Sequence, residues 1–121
     1  MFTVSVETRF SAAHQLTLKD GSKEPLHEHD WLVTASASSD RLNSMGVVID
    51  FHMLKEMMES VVGELAHRSL DRLEHFKKNN PSAEVVARYI YEKLETMMPK
   101  NVKLEHVKVA EEPGCQAKFS K

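Results

Sequence analysis

Residues 26–37 read Leu26-His27-Glu28-His29-Asp30-Trp31-Leu32-Val33-Thr34-Ala35-Ser36-Ala37 and alternate with the period of a β-strand. His27, His29, Trp31 and Val33 share one parity, while Glu28, Asp30 and Thr34 share the other. Side chains at i and i+2 of a strand project from the same face, so the two imidazoles can grip one ion while Glu28 points away. Pro25 cannot donate to a ladder, and the strand is therefore expected to begin just after it.

Upstream, Phe2, Val4 and Val6 alternate with Thr3, Ser5 and Glu7, and Phe10, Ala12 and His14 continue the apolar parity. This predicts a first strand with His14 on its apolar side. Residues 15–24 lose periodicity and contain the turn cluster Asp20-Gly21-Ser22. An antiparallel hairpin with a loop of about ten residues would set His14 opposite the His27/His29 pair. Zinc held by three protein nitrogens keeps a fourth position for water or substrate, which a closed four-ligand structural site does not. Seven His in 121 residues make a chance His-x-His pair common, so the pair alone does not separate a metal site from coincidence.

Downstream, Ser38 to Met45 is polar and reads as a connection, and Gly46-Val47-Val48-Ile49 leads into Asp50, a good helix N-cap. Phe51, Leu54, Met58, Val61, Val62 and Leu65 then recur at helical spacing. Met53, Met57 and Met58 on this helix read as core or subunit interface. Ala66 to Asn79 is mixed and charged. Asn80-Pro81-Ser82-Ala83-Glu84 starts a second helix, with Asn80 expected as N-cap and Pro81 at the first helical position. Val85, Val86, Tyr89, Ile90, Leu94 and Met97 give that helix an apolar face, and Pro99 ends it. Val102, Leu104, Val107 and Val109 suggest a strand whose alternation breaks near His106, and Ala117 to Ser120 suggests a short last one.

The order strand, strand, helix, helix, strand, strand implies an α+β domain: a four-stranded antiparallel sheet with two helices on one face. Were the apolar and metal-binding residues on the uncovered face, neighbouring sheets would be expected to close into a barrel and so remove exposed edges.

A length of 121 residues with 41% hydrophobic content fits one domain, residues 1–121. The 16 basic and 18 acidic side chains give a formal charge of −2 with no basic stripe, which disfavours nucleic-acid binding. Met1 to Glu7 lacks the basic start and apolar run of a signal peptide, and no segment approaches membrane-spanning length, so a cytoplasmic protein is expected. Cys115 is the single thiol; it excludes an internal disulfide and a Cys-rich zinc finger, leaving His as the zinc ligand.

Taken together, these residues resemble the 6-pyruvoyl-tetrahydropterin synthase and 6-carboxytetrahydropterin synthase group of pterin enzymes. Phe10-Ser11-Ala12-Ala13-His14 is similar to the first zinc motif, and Leu26-His27-Glu28-His29 to its His-Gly-His, with Glu28 in place of Gly. Gly46 to Phe51 is similar to the entry to the first helix, Asn80 to Glu84 to the start of the second, and Val109-Ala110-Glu111 to the strand whose Glu anchors the pterin ring. The resemblance covers essentially the whole chain. It implies the tunnelling fold (T-fold), assembled as a homohexamer of two stacked trimers with active sites between subunits. It also implies a Zn2+ cofactor on His14, His27 and His29, a small-molecule pterin substrate bound by Glu111, and His67 as a proton shuttle.

Two departures matter. Where the family usually has a catalytic Cys four residues before His27, this chain has Lys23; one branch of the family instead has a Glu three residues before that His, and Glu24 occupies that position. That branch is thought to cleave the side chain of dihydroneopterin triphosphate to 6-hydroxymethyl-dihydropterin for folate synthesis. Pro25 biases Glu24 towards an extended backbone, which would let its carboxylate turn towards the metal. In Leu65-Ala66-His67-Arg68-Ser69-Leu70-Asp71, the usual Asp partner of His67 has become Ala66, with Asp71 as a conceivable substitute through space.

The expected activity is accordingly that of a zinc-dependent pterin lyase with Glu24 as acid or base. Deprotonating a side-chain hydroxyl sets up retro-aldol cleavage of the neighbouring carbon–carbon bond; deprotonating the carbon sets up phosphate elimination. The alternatives are a 6-carboxytetrahydropterin synthase of queuosine biosynthesis, a catalytically reduced zinc- and pterin-binding homologue, and a small interaction domain with incidental His residues.

Overall fold

A computed structural model describes residues 1–121. The strands are β1 (Phe2–His14), β2 (His27–Ser39), β3 (Lys103–Glu112) and β4 (Cys115–Phe119), and the helices are α1 (Phe51–Val62) and α2 (Ala83–Glu95). The sheet is antiparallel throughout, in the order β1-β2-β3-β4, with both helices inserted between β2 and β3.

Parity decides what each face holds. Val6, Phe10, Ala12 and His14 of β1, Trp31, Val33, Ala35 and Ala37 of β2, and Val107 and Val109 of β3 are buried. The apolar members join Leu54, Met58, Val61 and Val62 of α1 and Val86, Ala87, Ile90, Tyr91 and Leu94 of α2 in one continuous core. Trp31 is fully buried, and removing the ~150–250 Å² of an aromatic side chain from water at about 25 cal/mol per Å² contributes about 4–6 kcal/mol. The metal-type histidines therefore lie on the helix-covered face, not on an open one. The opposite face is polar: Ser5 Oγ and Ser36 Oγ are 2.6 Å apart, Ser36 Oγ lies 3.2 Å from His106 Nε2, and Ser38 bonds Glu105. An apolar open face would have buried itself in another copy by hydrophobic area; a polar one offers only hydrogen bonds.

Several boundaries differ from expectation. Strand β2 runs on to Ser39, because Ser36 and Ser38 find side-chain partners across the sheet. Alternation in β3 does break near His106: Ser36 pairs with His106 but Ala37 pairs with Leu104, leaving Glu105 as a bulge. Asp50 caps α1, accepting the His52 N–H at 2.7 Å. The cap of α2 is Ser82, whose Oγ accepts the Val85 N–H at 3.2 Å, and neither Asn80 nor Pro81 holds the position predicted for it. Both are engaged elsewhere, as described below. Of the three methionines on α1, Met58 is core, Met57 packs against it and Met53 is exposed. The mixed segment after α1 forms two 3-10 turns, Leu70–Arg72 and Glu74–Phe76, which bury Leu70 and Phe76. Pro113-Gly114 closes the last hairpin, with Gly114 at φ +86°, the left-handed conformation a type II turn demands at its third residue.

Candidate metal centre and active site

The β1–β2 register sets His14 directly opposite His27 and Ala12 opposite His29. All three imidazoles thus leave the same face at one end of the sheet. Their ring centroids are 4.5 Å apart for His14–His27 and for His27–His29, and 5.2 Å apart for His14–His29. The floor beneath them is aromatic: Trp31 stands edge-on to His14 at 4.9 Å, Phe10 stacks on Trp31 at 5.9 Å, and the indole N–H donates to Ala12 O at 3.1 Å.

Backbone carbonyls select the tautomers. His14 Nδ1–H donates to Pro81 O at 2.7 Å and His27 Nδ1–H to Pro25 O at 2.9 Å. Carbonyls only accept, and a neutral imidazole has one proton, so each ring presents a bare lone pair at Nε2. Metal-binding histidines are commonly oriented in this way.

Glu111 completes the group. It lies at the shift of register between β3 and β4, and shares parity with the buried Val107 and Val109. Its Oε1 is 2.5 Å from His14 Nε2 and 3.4 Å from His29 Nε2. With the His14 proton on Nδ1, the shorter approach sets lone pair against lone pair, and no hydrogen bond joins them. Nε2 of both His14 and His29 is buried without a hydrogen-bond partner. The ligand atoms of His14, His27, His29 and Glu111 all lie within 4.8 Å of one another. Buried polar atoms are normally satisfied; imidazole nitrogens without a partner, converging beside a carboxylate, form an arrangement that could hold a cation. The donor set of three imidazoles and one carboxylate fits a divalent ion of the zinc type. Burial pushes the His29 imidazole below its usual range, against the pull of the Glu111 charge, and so favours the neutral form that a ligand requires.

The other predicted residues are arranged differently. Glu24 is outside the group of four: it lies in the loop between β1 and β2, where its N–H donates to Leu16 O at 3.0 Å and its Oε1 accepts the Leu16 N–H at 3.1 Å. His67 is exposed on the outer edge of β1, its backbone in the left-handed region at φ +61° and its N–H bonded to Ser11 O at 2.6 Å. It lines a cleft of about 410 Å³ with Thr8, Arg9, Ser11 and Asp30. Asp71 does not replace the missing partner of His67, because its carboxylate accepts from Ser69 Oγ at 2.9 Å and from Gln15 Nε2 at 3.3 Å. Those bonds, with Lys23 nearby, hold Asp71 below the usual carboxylate range despite its partial burial. A larger cleft, about 570 Å³ around Arg41, Asn43, Lys100 and Asn101, is lined by none of the predicted site residues.

Sequence reasoning assigned Glu111 to the ring alone and missed its approach to the histidines. The signal was present, since Val107, Val109 and Glu111 alternate in the register that faces the core. The carbonyls of Pro25 and Pro81 left no comparable trace.

Comparison with known proteins identifies the family of the chain. The family described as 6-pyruvoyl tetrahydropterin synthase matches residues 3–121. A dihydroneopterin monophosphate aldolase of Pyrococcus furiosus is 31% identical over 102 residues, covering 84% of this chain and 82% of the relative. A 6-carboxy-5,6,7,8-tetrahydropterin synthase of Synechocystis is 31% identical over 105 residues, 78% of this chain and 76% of the relative. The solved 6-pyruvoyl tetrahydropterin synthase of Caenorhabditis elegans superposes with a TM-score of 0.87 at 27% identity, covering 99% of this chain and 95% of that one. The family model spans residues 3–121 and the solved fold superposes over nearly the whole length, so the chain belongs to the 6-pyruvoyl tetrahydropterin synthase family.

Proposed function

We propose that this protein is a zinc-dependent pterin lyase that cleaves the C6 side chain of a phosphorylated 7,8-dihydroneopterin to give 6-hydroxymethyl-7,8-dihydropterin. The observation that carries this reading is a His14, His27, His29 and Glu111 cluster beside a loop that offers a carboxylate, Glu24, and no thiol, since Lys23 stands where the family usually has Cys. The aldolase name of the Pyrococcus relative supports cleavage of a carbon–carbon bond. Residues 1–121 act as one domain in this reading.

The chemistry assigns each residue a task. Zinc on His14, His27 and His29 supplies Lewis-acid polarisation of side-chain oxygens when bound. Glu111, about a quarter exposed at 26%, offers acceptor oxygens to the amino and amide N–H groups of the ring. Taking up the ring there turns the carboxylate away from His14 and His29, so ring binding makes room for the substrate side chain at the imidazoles. Glu24 takes the proton of the C2′ hydroxyl. The C1′–C2′ bond then breaks, its electron pair enters the ring imine, and a phosphorylated two-carbon aldehyde leaves. Protonation at C1′ yields the hydroxymethyl product. His67, exposed on the edge of β1, is suited to supply the C1′ proton at the site of an adjoining copy in a hexamer; Glu24 then releases the proton it took to solvent, from which His67 regains one.

Incubating purified protein with dihydroneopterin triphosphate or monophosphate and resolving products by mass tests the reading. Hydroxymethyl-dihydropterin is the expected product. A carboxy product would favour the synthase activity named for the Synechocystis relative, which the lack of a loop thiol disfavours. Unchanged substrate with zinc bound would indicate a binding homologue. Zinc content unaffected by His27→Ala would dispose of the metal site.

A further inference from the structure

The loop that carries Glu24 has an internal architecture. Leu18 N–H donates to Ser22 O at 2.7 Å and Glu24 N–H to Leu16 O at 3.0 Å, with Thr17 and Lys23 facing each other as an antiparallel bridge. Because the flanking residues make the inward bonds, the N–H and C=O of Thr17 point outward and need other partners. One side chain meets both. Asn80 Oδ1 accepts the Thr17 N–H at 2.9 Å, and Asn80 Nδ2 donates to Thr17 O at 2.9 Å. The carboxamide thus imitates the peptide group of a next strand.

The following residue reaches the metal centre, since Pro81 O accepts the Nδ1–H of the buried ligand His14. At the other end of the loop, Pro25 O orients His27, one residue after Glu24. Two consecutive residues, 80 and 81, therefore tie the Glu24 loop and a metal ligand to the start of α2. The helix itself does not need Asn80, because Ser82 caps it. Thr17 and Asn80 are both exposed, so their paired bonds compete with water and act on local order more than on the stability of the whole fold.

We propose that Asn80 is a positioning residue: by clamping Thr17 it holds the 15–26 loop in the conformation that bonds Glu24 to Leu16 and sets the Pro25 carbonyl, one residue on, against His27. The role rests on the pterin-lyase reading, in which Glu24 transfers the proton. Asn80→Ala removes both bonds. Asn80→Asp keeps the acceptor but sets a carboxylate oxygen against Thr17 O.

The test uses the zinc-loaded full chain with dihydroneopterin phosphate as substrate. Asn80→Ala and Asn80→Asp should lower kcat by about 10-fold or more while KM stays within about 2-fold, as expected for a displaced catalytic group. In the Glu24→Gln background the same substitutions should cost nothing further, because nothing remains to be positioned. Amide hydrogen exchange in 15–26 should quicken in Asn80→Ala while the β1, β2 and α2 segments keep wild-type protection, which also establishes that the variant folds. Wild-type kcat in Asn80→Ala, an undiminished loss in the Glu24→Gln background, or unchanged exchange in 15–26 would each overturn the proposal. A wild-type protein that turns over no dihydroneopterin phosphate would instead sink the lyase reading, and with it any catalytic role for the clamp.

Discussion

Glu24 is the carboxylate next to position 23, where the thiol is absent, and Cys115 is the one thiol of the chain; their surroundings differ. Glu24 sits on the loop that leads into the ligand strand, half-buried, with one oxygen held by a backbone N–H. Cys115 opens β4 and is exposed; its thiol donates to Glu112 at 3.5 Å, and that bond, with the charge of the same carboxylate, pushes the thiol up. A thiol kept protonated is a poor nucleophile. Glu24→Gln is therefore expected to lower kcat by about 10²–10⁴-fold, the usual contribution of general acid–base catalysis, with zinc content by metal analysis unchanged. Cys115→Ser, assayed alongside, should leave turnover and metal content at wild-type levels; a loss comparable to that of Glu24→Gln would transfer the proton-transfer role to the thiol. His67 differs from both, since no side-chain carboxylate orients it within its own chain. Ala66 in place of Asp was visible in the sequence, whereas the diversion of Asp71 to Ser69 and Gln15 was not.

The helices set the next scale. Their apolar faces were legible because 3.6-residue periodicity is a local property, and Leu54, Met58, Val86, Ile90 and Leu94 are buried as the spacing required. The start of α2 was misplaced by two residues because a side chain can cap only if no distant partner claims it. Ser82→Ala should cost about 1 kcal/mol, seen as a lower urea midpoint with unchanged slope. Tyr89 joins α2 to the segment after α1 by donating to Glu64 Oε2 at 2.9 Å. Burial first, and then the bond and charge of Glu64, push its phenol up to about 12. Tyrosine ionises near pH ~10 when unfolded, so the folded chain holds this proton the more tightly. The stabilisation is fully present below about pH 10 and is lost as pH rises through about 12. Tyr89→Phe should flatten the alkaline decline of thermal stability in that window, and tyrosinate absorbance in the native protein should develop late.

At the scale of the whole molecule the sheet has two unlike edges. The β1 edge is long and is covered only near its end, where Ala13 N–H donates to Arg68 O at 2.9 Å and His67 N–H to Ser11 O. The β4 edge is five residues long. Unpaired edges invite pairing with another copy, and the polar open face would line the lumen of a barrel built from such pairings. Light scattering is expected to give a mass near six 13.8 kDa protomers. A monomer at micromolar concentration would overturn the expected barrel, and with it the proposed proton delivery by His67 to a neighbouring site. No helix is long and apolar enough to cross a membrane.

Alternation and helical spacing determined, from the sequence alone, which residues share a face: His14, His27 and His29 with Phe10, Trp31 and Val33 on one side, and Thr, Ser and charged residues on the other. Such patterns are written within a few residues, where backbone geometry repeats. Tertiary structure alone decided the contacts that join distant segments. His14 meets Pro81 across 67 positions and Asn80 meets Thr17 across 63, so Asn80 left the helix cap to Ser82. Glu111 approached the imidazoles only when β3 came to lie beside β2. The physical reason is common to all three: a hydrogen-bonding or ligating group has a local preference, but its partner is chosen by whichever unsatisfied group the packed core brings within 3 Å or so.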